Sequence, residues 1–251
     1  MARLDEKVVF IAGGASGVGR ACAELVVREG GRVVIADLDA AKGERLVEAL
    51  GSERALFIRH DVSSESDWDV SMTATLKRFG RLDGLVNCAA MFAEPSLEET
   101  SLELWRRIMH VNADGAFLAC RAAVRAMKEK GGAIVNIVST AALAGHEGMC
   151  AYSASKGAVA ALTRNVATHC RENGMFIRCN AIVPGGIKTE MTEHLWKSLP
   201  PAMTDIETSP KAGFCEPVDV ANAAIYLLSH ESRFVNGCEL RVDNALLTAI
   251  A

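Results

Sequence analysis

Three residues of this chain have the types and spacing for proton transfer. They are Tyr152, Lys156 four positions on, and Ser139 thirteen positions before the tyrosine. Four positions make about one helical turn, so Tyr152 and Lys156 share a helix face. A phenol in water titrates at about 10, too high for a base at neutral pH. A cation one turn away favours the phenolate and draws that value toward the working range. The hydroxyl of Ser139 would then hold an alcohol or carbonyl oxygen beside the phenol.

The elements around these residues have to place them. Ile134-Val135-Asn136-Ile137-Val138 is a β-branched, apolar run of strand length that ends at Ser139, and a helical pattern begins near Ala151. Ser139 is therefore expected at the carboxyl end of a buried strand, where open α/β sheets bind their ligands. At the amino terminus Val8–Ala12 reads as a second buried strand. It runs into Gly13-Gly14-Ala15-Ser16-Gly17-Val18-Gly19 and then a helix over Arg20 to Arg28. Gly13, Gly17 and Gly19 permit a tight turn, close approach of a pyrophosphate and close packing of helix on strand. The helix start offers free N–H groups and the positive dipole end to phosphate. The next strand, Arg32–Asp37, ends on an acid about twenty positions past the glycines, where a carboxylate commonly accepts hydrogen bonds from an adenosine ribose. That charge would repel a 2′-phosphate, so Asp37 favours NAD over NADP. Asp39, just before Ala40-Ala41-Lys42, suits a helix cap.

On these residues the chain resembles the short-chain dehydrogenase/reductase family along nearly its whole length. Gly13, Gly17 and Gly19 match that family's Gly-x-x-x-Gly-x-Gly turn, Asp61-Val62 its adenine-contacting pair, and Asn87-Cys88-Ala89-Ala90 its Asn-Asn-Ala-Gly segment. Asn112, Ser139, Tyr152 and Lys156 match its catalytic tetrad, and Pro184, Gly185 and Thr189 its nicotinamide loop. The resemblance also places Ser16, Val18, Leu38 and Ile187 at the cofactor, gives Lys156 the nicotinamide ribose, and gives Asn112 a water of the proton relay. Two positions depart from the family pattern: Ala12 replaces a common Thr and Ala90 a Gly, which implies tuned cofactor affinity and retained activity.

Composition agrees with an α/β chain. The 251 residues are 50% hydrophobic, enough for one sizeable core. Further strands are expected at Ala55–Arg59, Leu85–Asn87, Ala133–Val138, Phe176–Val183 and Glu239–Val242. The fold expected is a single-domain, Rossmann-type, doubly wound parallel sheet of about seven strands over residues 1–251, with helices on both faces. Residues 190–212, including an irregular stretch from Leu199 to Pro210, read as a substrate lid.

The net charge of −4, with no basic stripe, disfavours nucleic acid as a partner. No apolar run reaches the roughly eighteen residues of a membrane span, and no secretory leader is evident. Eight cysteines without metal-type pairing, and six scattered histidines, point to free thiols in a reducing cytoplasm and to no metal site.

Pocket walls are expected from Ala141, Leu143, His146, Glu147, Cys150, Gly186, Met191, Leu195 and Trp196, with Met203 and His194 nearby. These largely apolar, partly flexible side chains suit a bulky hydrophobic alcohol. The segments Ile58–Trp68, Tyr152–Lys156 and Val242-Asp243-Asn244 are similar to bacterial 3β/17β-hydroxysteroid dehydrogenases, which puts a steroid alcohol ahead of cyclic terpenoid alcohols such as borneol or carveol. A regulatory NAD-binding protein, or a lyase or epimerase on the same fold, is the reading from a different class. The resemblance further implies a homotetramer. Its interface would be built from helices over 102–130 and 151–173, with the apolar ending 245–251 at a second contact.

Overall fold

The computed structural model describes residues 2–248. Strands and helices alternate through β1 (Val8–Ala12), α1 (Gly17–Arg28), β2 (Arg32–Asp37), α2 (Ala40–Leu50), β3 (Ala55–Arg59), α3 (Glu65–Phe79), β4 (Gly84–Asn87), α4 (Leu102–Met109), α5 (Gly115–Met127), β5 (Gly132–Ile137) and α6 (Cys150–Glu172). They continue through β6 (Ile177–Pro184), β7 (Gly186–Ile187), α7 (Glu193–Trp196), α8 (Pro201–Thr204), β8 (Phe214–Cys215), α9 (Pro217–Leu228) and β9 (Glu239–Val242). Each strand expected from the sequence is present, with its ends displaced by no more than one residue.

Seven strands form one parallel sheet in the order β3-β2-β1-β4-β5-β6-β9. Chain order reverses between β1 and β4, so a crevice opens at their carboxyl ends. The central strands are apolar on both faces because both faces are covered. Val9 and Ile11 pack into a layer with α1 and α9, whereas Phe10 and Ala12 pack into the layer of α3, α5 and α6. Local signals agree with this placement. Helix α3 opens on the Ser64 cap with Glu65 and Asp67 in its first turn, and closes on Lys77, Arg78 and a left-handed Gly80.

Two features depart from the sequence reading. The helix expected over 102–130 is interrupted by a π turn at His110–Asp114, which separates α4 from α5. Such a turn is set by tertiary contacts and has no signature in side-chain periodicity. The stretch 199–210 is not wholly irregular, since Pro201 occupies the first position of the short α8. The lid segment lies between β7 and β8, which pair in parallel, Gly186 with Phe214 and Ile187 with Cys215. Met1 lies outside the described residues, as do Ala249, Ile250 and Ala251 of the apolar ending. Among the described residues no helix is long and apolar enough to cross a membrane.

Candidate active site

The turn after β1 is built on missing side chains. Gly13 has φ +73°, and a Cβ there would lie 2.7 Å from the backbone nitrogen of Ala89. A Cβ on Gly19 would lie 2.0 Å from the Gly13 carbonyl oxygen, so α1 could not pack on the turn. Gly17, at φ +50°, faces Thr189, whose Cγ2 would be 3.2 Å from an added Cβ. The nicotinamide-loop candidate Thr189 is thereby placed against the phosphate-turn candidate.

Ser16 precedes α1 in an extended conformation, and its side chain makes no capping bond. Asp39, Ser64 and Ser101, by contrast, cap α2, α3 and α4 through their side chains. The first turn of α1, including buried Val18, therefore has no side-chain cap and is open to an anion. Asp37 aims its carboxylate at this turn: Oδ2 accepts from the Ala15 N–H at 3.0 Å, and Oδ1 from the Asp39 N–H at 3.0 Å. The capping role read for Asp39 is present, its Oδ1 accepting from the Lys42 N–H at 3.0 Å.

The remaining cofactor candidates lie along the same edge. Leu38 is exposed, Val62 and Asn87 are buried, and Ala89 is half-buried. Asp61 accepts from the Ser63 hydroxyl at 2.7 Å and N–H at 2.9 Å, which holds its carboxyl below the usual carboxylate range. Pro184 ends β6, and Gly185 and Ile187 follow it toward Thr189. A bulk-free cradle, an uncapped helix start and an acid beside them fit a dinucleotide.

The residues read as a proton-transfer group meet beside this cradle. Ser139 continues from β5 with extended backbone (φ −174°), and its Oγ accepts from the Ala141 N–H at 3.1 Å. Tyr152 and Lys156 occupy successive turns of α6, with the Lys156 Nζ 5.7 Å from the centre of the tyrosine ring. Lys156 is buried at 4% exposure and donates to the Ile137 carbonyl at 2.8 Å. Asn112, in the π turn, is clamped to Met91: its Oδ1 accepts from the Met91 N–H at 2.7 Å and its Nδ2 donates to the Met91 carbonyl at 2.9 Å. The same Nδ2 donates to Ser155 Oγ at 2.9 Å, which ties Asn112 to the helix that carries Tyr152 and Lys156.

Electrostatics correct one expectation. In the chain alone the Tyr152 phenol is not lowered by its lysine. Burial pushes it up to about 12, and only the hydrogen bond with Ser139 pulls it back. Burial also pushes the Lys156 ammonium down to about 8, against a small opposing pull from Cys88. The spacing of the pair was readable in the sequence, but the depth of burial was not, and desolvation is here the larger effect.

The substrate candidates are more loosely held. Ala141 is buried, Cys150, Leu195 and Trp196 are half-buried, and His146, Glu147 and Met191 are exposed. Gly186 serves packing within the lid frame, since a Cβ there would meet the Gly213 carbonyl and the Phe214 ring, each at 2.7 Å. Trp196 donates to the Thr189 carbonyl at 3.4 Å, which folds α7 back on the loop before it.

Two residues that sequence reasoning missed belong to the site. Phe92 lies edge-to-face on the Tyr152 ring, with centres 4.9 Å apart at 89°. Glu94 bonds His194 of α7 at 2.6 Å. The only available signal was their place directly after the Asn87–Ala90 segment.

A family model described as enoyl-(acyl carrier protein) reductase matches residues 13–245. The chain is 39% identical over 251 residues to a 3-beta-hydroxysteroid dehydrogenase of Comamonas testosteroni, covering 98% of this chain and 97% of that one. It is 35% identical to an NADP-dependent (R)-specific alcohol dehydrogenase of Lentilactobacillus kefiri, covering 96% of each. The crystal structure of gox2181 superposes with a TM-score of 0.89 at 30% identity, covering 99% of this chain and 98% of that one.

Proposed function

Because the chain belongs to the short-chain dehydrogenase/reductase family, and is thereby an oxidoreductase of secondary alcohols and their ketones, we propose that it uses NAD on a bulky hydrophobic alcohol, a hydroxysteroid of the 3β/17β type. The observation that carries this reading is the meeting of Asn112, Ser139, Tyr152 and Lys156 beside a turn shaped for a dinucleotide. The steroid choice rests on the relative from Comamonas testosteroni and on the apolar Met191, Leu195 and Trp196.

Gly13, Ser16, Gly17, Val18 and Gly19 would hold the pyrophosphate, Asp37 the adenosine ribose, and Pro184, Gly185, Ile187 and Thr189 the nicotinamide end. When bound there, the cofactor supplies a hydride acceptor, or a donor in the reverse direction. The chain's own residues manage the proton. Ser139 holds the substrate oxygen, and Tyr152 takes the hydroxyl proton on oxidation and returns it on reduction. Lys156, drawn down to about 8, exchanges a proton near neutral pH and supplies positive charge beside the phenol. Asn112 keeps the relay in register through Met91 and Ser155. A carboxylate at Asp37 opposes a 2′-phosphate, which is the basis for NAD. A homotetramer joined through α4–α6, working in the cytoplasm with its thiols reduced, completes the reading.

The test is NADH formation by the purified protein against steroids with 3β- and 17β-hydroxyls, borneol, carveol and simple cyclohexanols, each also with NADP. Turnover confined to the steroids and to NAD is expected, and Tyr152→Phe should keep NAD binding while losing about a thousandfold or more in turnover. Preference for borneol or carveol would move the substrate to a cyclic terpenoid. Silence across the panel, with cofactor retained through purification, would overturn the dehydrogenase reading in favour of a lyase, an epimerase or a regulatory protein.

A further inference from the structure

One short segment after β4 touches Asn112, Tyr152, His194 and the loop leading into α6. Met91 holds Asn112 through both of its backbone polar groups. Phe92 stands edge-to-face with the Tyr152 ring, and its ring centre lies 6.4 Å from that of His194. Glu94 bonds His194 Nε2 at 2.6 Å, a contact across a hundred positions of sequence. The Glu94 carbonyl also faces Gly148, where an added Cβ would come to 3.2 Å, so the loop leading into α6 is seated on the same segment.

We propose that residues 91–94 act as a positioning strap for the alcohol reaction, with Phe92 fixing the Tyr152 ring and the Glu94–His194 bond clasping α7 over the reacting centre. The inference rests on the dehydrogenase reading for its kinetic consequences, but not for the clasp itself. Edge-to-face contact limits rotation of the phenol about its long bond to α6 and keeps its oxygen at Ser139. The clasp has one partner on a loop anchored to the sheet and the other on α7, which has only four residues and no buried side chain of its own. An isolated helix of that length does not hold itself in place, so a side-chain tie is needed to keep it closed. Phe92, Glu94 and His194 are positioning residues, and none of them transfers the proton.

The two halves of the proposal separate in kinetics. Phe92→Leu should lower kcat about three- to tenfold at unchanged NAD affinity, and Phe92→Tyr, which restores an aromatic edge, should recover it. Unchanged kcat in Phe92→Leu would overturn the positioning role. Glu94→Ala and His194→Ala should each raise KM roughly two- to fivefold with little change in kcat, and the double variant should match either single one. Additive effects would overturn the clasp. Trypsin should cut after Lys197, at the end of α7, several-fold faster in both variants than in the parent chain. This readout needs no turnover. If no alcohol is oxidised but cleavage accelerates, the substrate reading fails and the clasp stands; if cleavage is unchanged, the clasp fails whatever the substrate.

Discussion

The proposed cofactor side and the proposed substrate side of this site are held by different means. At the glycine turn the close contacts are backbone on backbone: the Gly13 and Gly14 N–H groups donate to the Ala36 carbonyl at 2.8 and 3.2 Å, and Gly19 packs directly on Gly13. At the proposed lid, side-chain ties such as Glu94–His194 and Trp196–Thr189 are added to backbone bonds such as that from the Gly213 N–H to the Met203 carbonyl at 2.9 Å, while Met191 and Met203 stand 45% and 50% exposed. The close backbone approach at Gly13 and Gly19 admits only glycine. Side-chain ties tolerate many residue types, so substrate choice can change on this side while the cofactor machinery stays fixed.

Lys156 stands at the seam of the two regions, and replacing it sharpens the contrast most. Lys156→Met should lose about a thousandfold or more in turnover, because the buried group proposed to exchange the proton near neutral pH is removed. The same change should stabilise the fold at pH 7. The buried ammonium titrates at about 8 instead of the ordinary 10.5, so the folded state binds this proton less tightly than the unfolded state does. Below about 8 the parent chain bears the full penalty of a buried charge, up to about 3 kcal/mol before the lost hydrogen bond to Ile137 is counted. Between about 8 and 10.5 that penalty is relieved as the lysine deprotonates. Urea unfolding should therefore show the variant ahead at pH 7, with its lead shrinking by about pH 10. A lead that does not change with pH would show that Lys156 is not desolvated. Tyr152 has the opposite sign: its raised value adds stability that is lost from about 10 to 12, so the comparison belongs below that window.

Next in size is the cradle itself. A Cβ on Gly19 would sit 2.0 Å from a carbonyl oxygen, which no rotamer can relieve. Gly19→Ala should weaken NAD binding about ten- to a hundredfold, in line with the usual cost of overpacking. Met191→Ala, on the proposed lid, should leave NAD affinity unchanged and lower kcat/KM for the steroid about threefold, as loss of one half-exposed apolar contact would. Titration of intrinsic NADH fluorescence and steady-state rates check the two. Equal sensitivity at both positions would break the distinction between the regions.

What was legible in the sequence follows the same line. Gly13, Gly17 and Gly19, the strand ending at Ser139, and the one-turn spacing of Tyr152 and Lys156 are local facts, and local facts survive in a linear chain. Phe92 and Glu94 were not legible because their partners, Tyr152 and His194, lie far along the chain and nothing in the residue types announces the pairing. The π turn that aims Asn112 leaves no mark on side-chain periodicity or composition, so 102–130 read as one helix. The direction of the Tyr152 shift failed for a related reason, since spacing reports a neighbour and says nothing about desolvation.

Asp37 carries a smaller effect than Gly19 and joins the two kinds of contact in one side chain. Its Oδ2 holds the glycine turn through Ala15, a backbone task, while its charge is proposed to choose between cofactors. Asp37→Ala should weaken NAD binding through the loosened turn and also narrow the NAD over NADP preference by about tenfold, as one removed like charge facing a phosphate would. Asp37→Asn separates the two tasks at the turn, because its single amide oxygen can still accept from the Ala15 N–H, at the expense of the bond to the Asp39 N–H, while the charge is gone. If the Asn variant keeps NAD affinity but loses preference, charge sets the cofactor. If both variants lose affinity for NAD and NADP in equal measure, the carboxylate is a brace for the turn, and cofactor choice lies with other residues around Leu38.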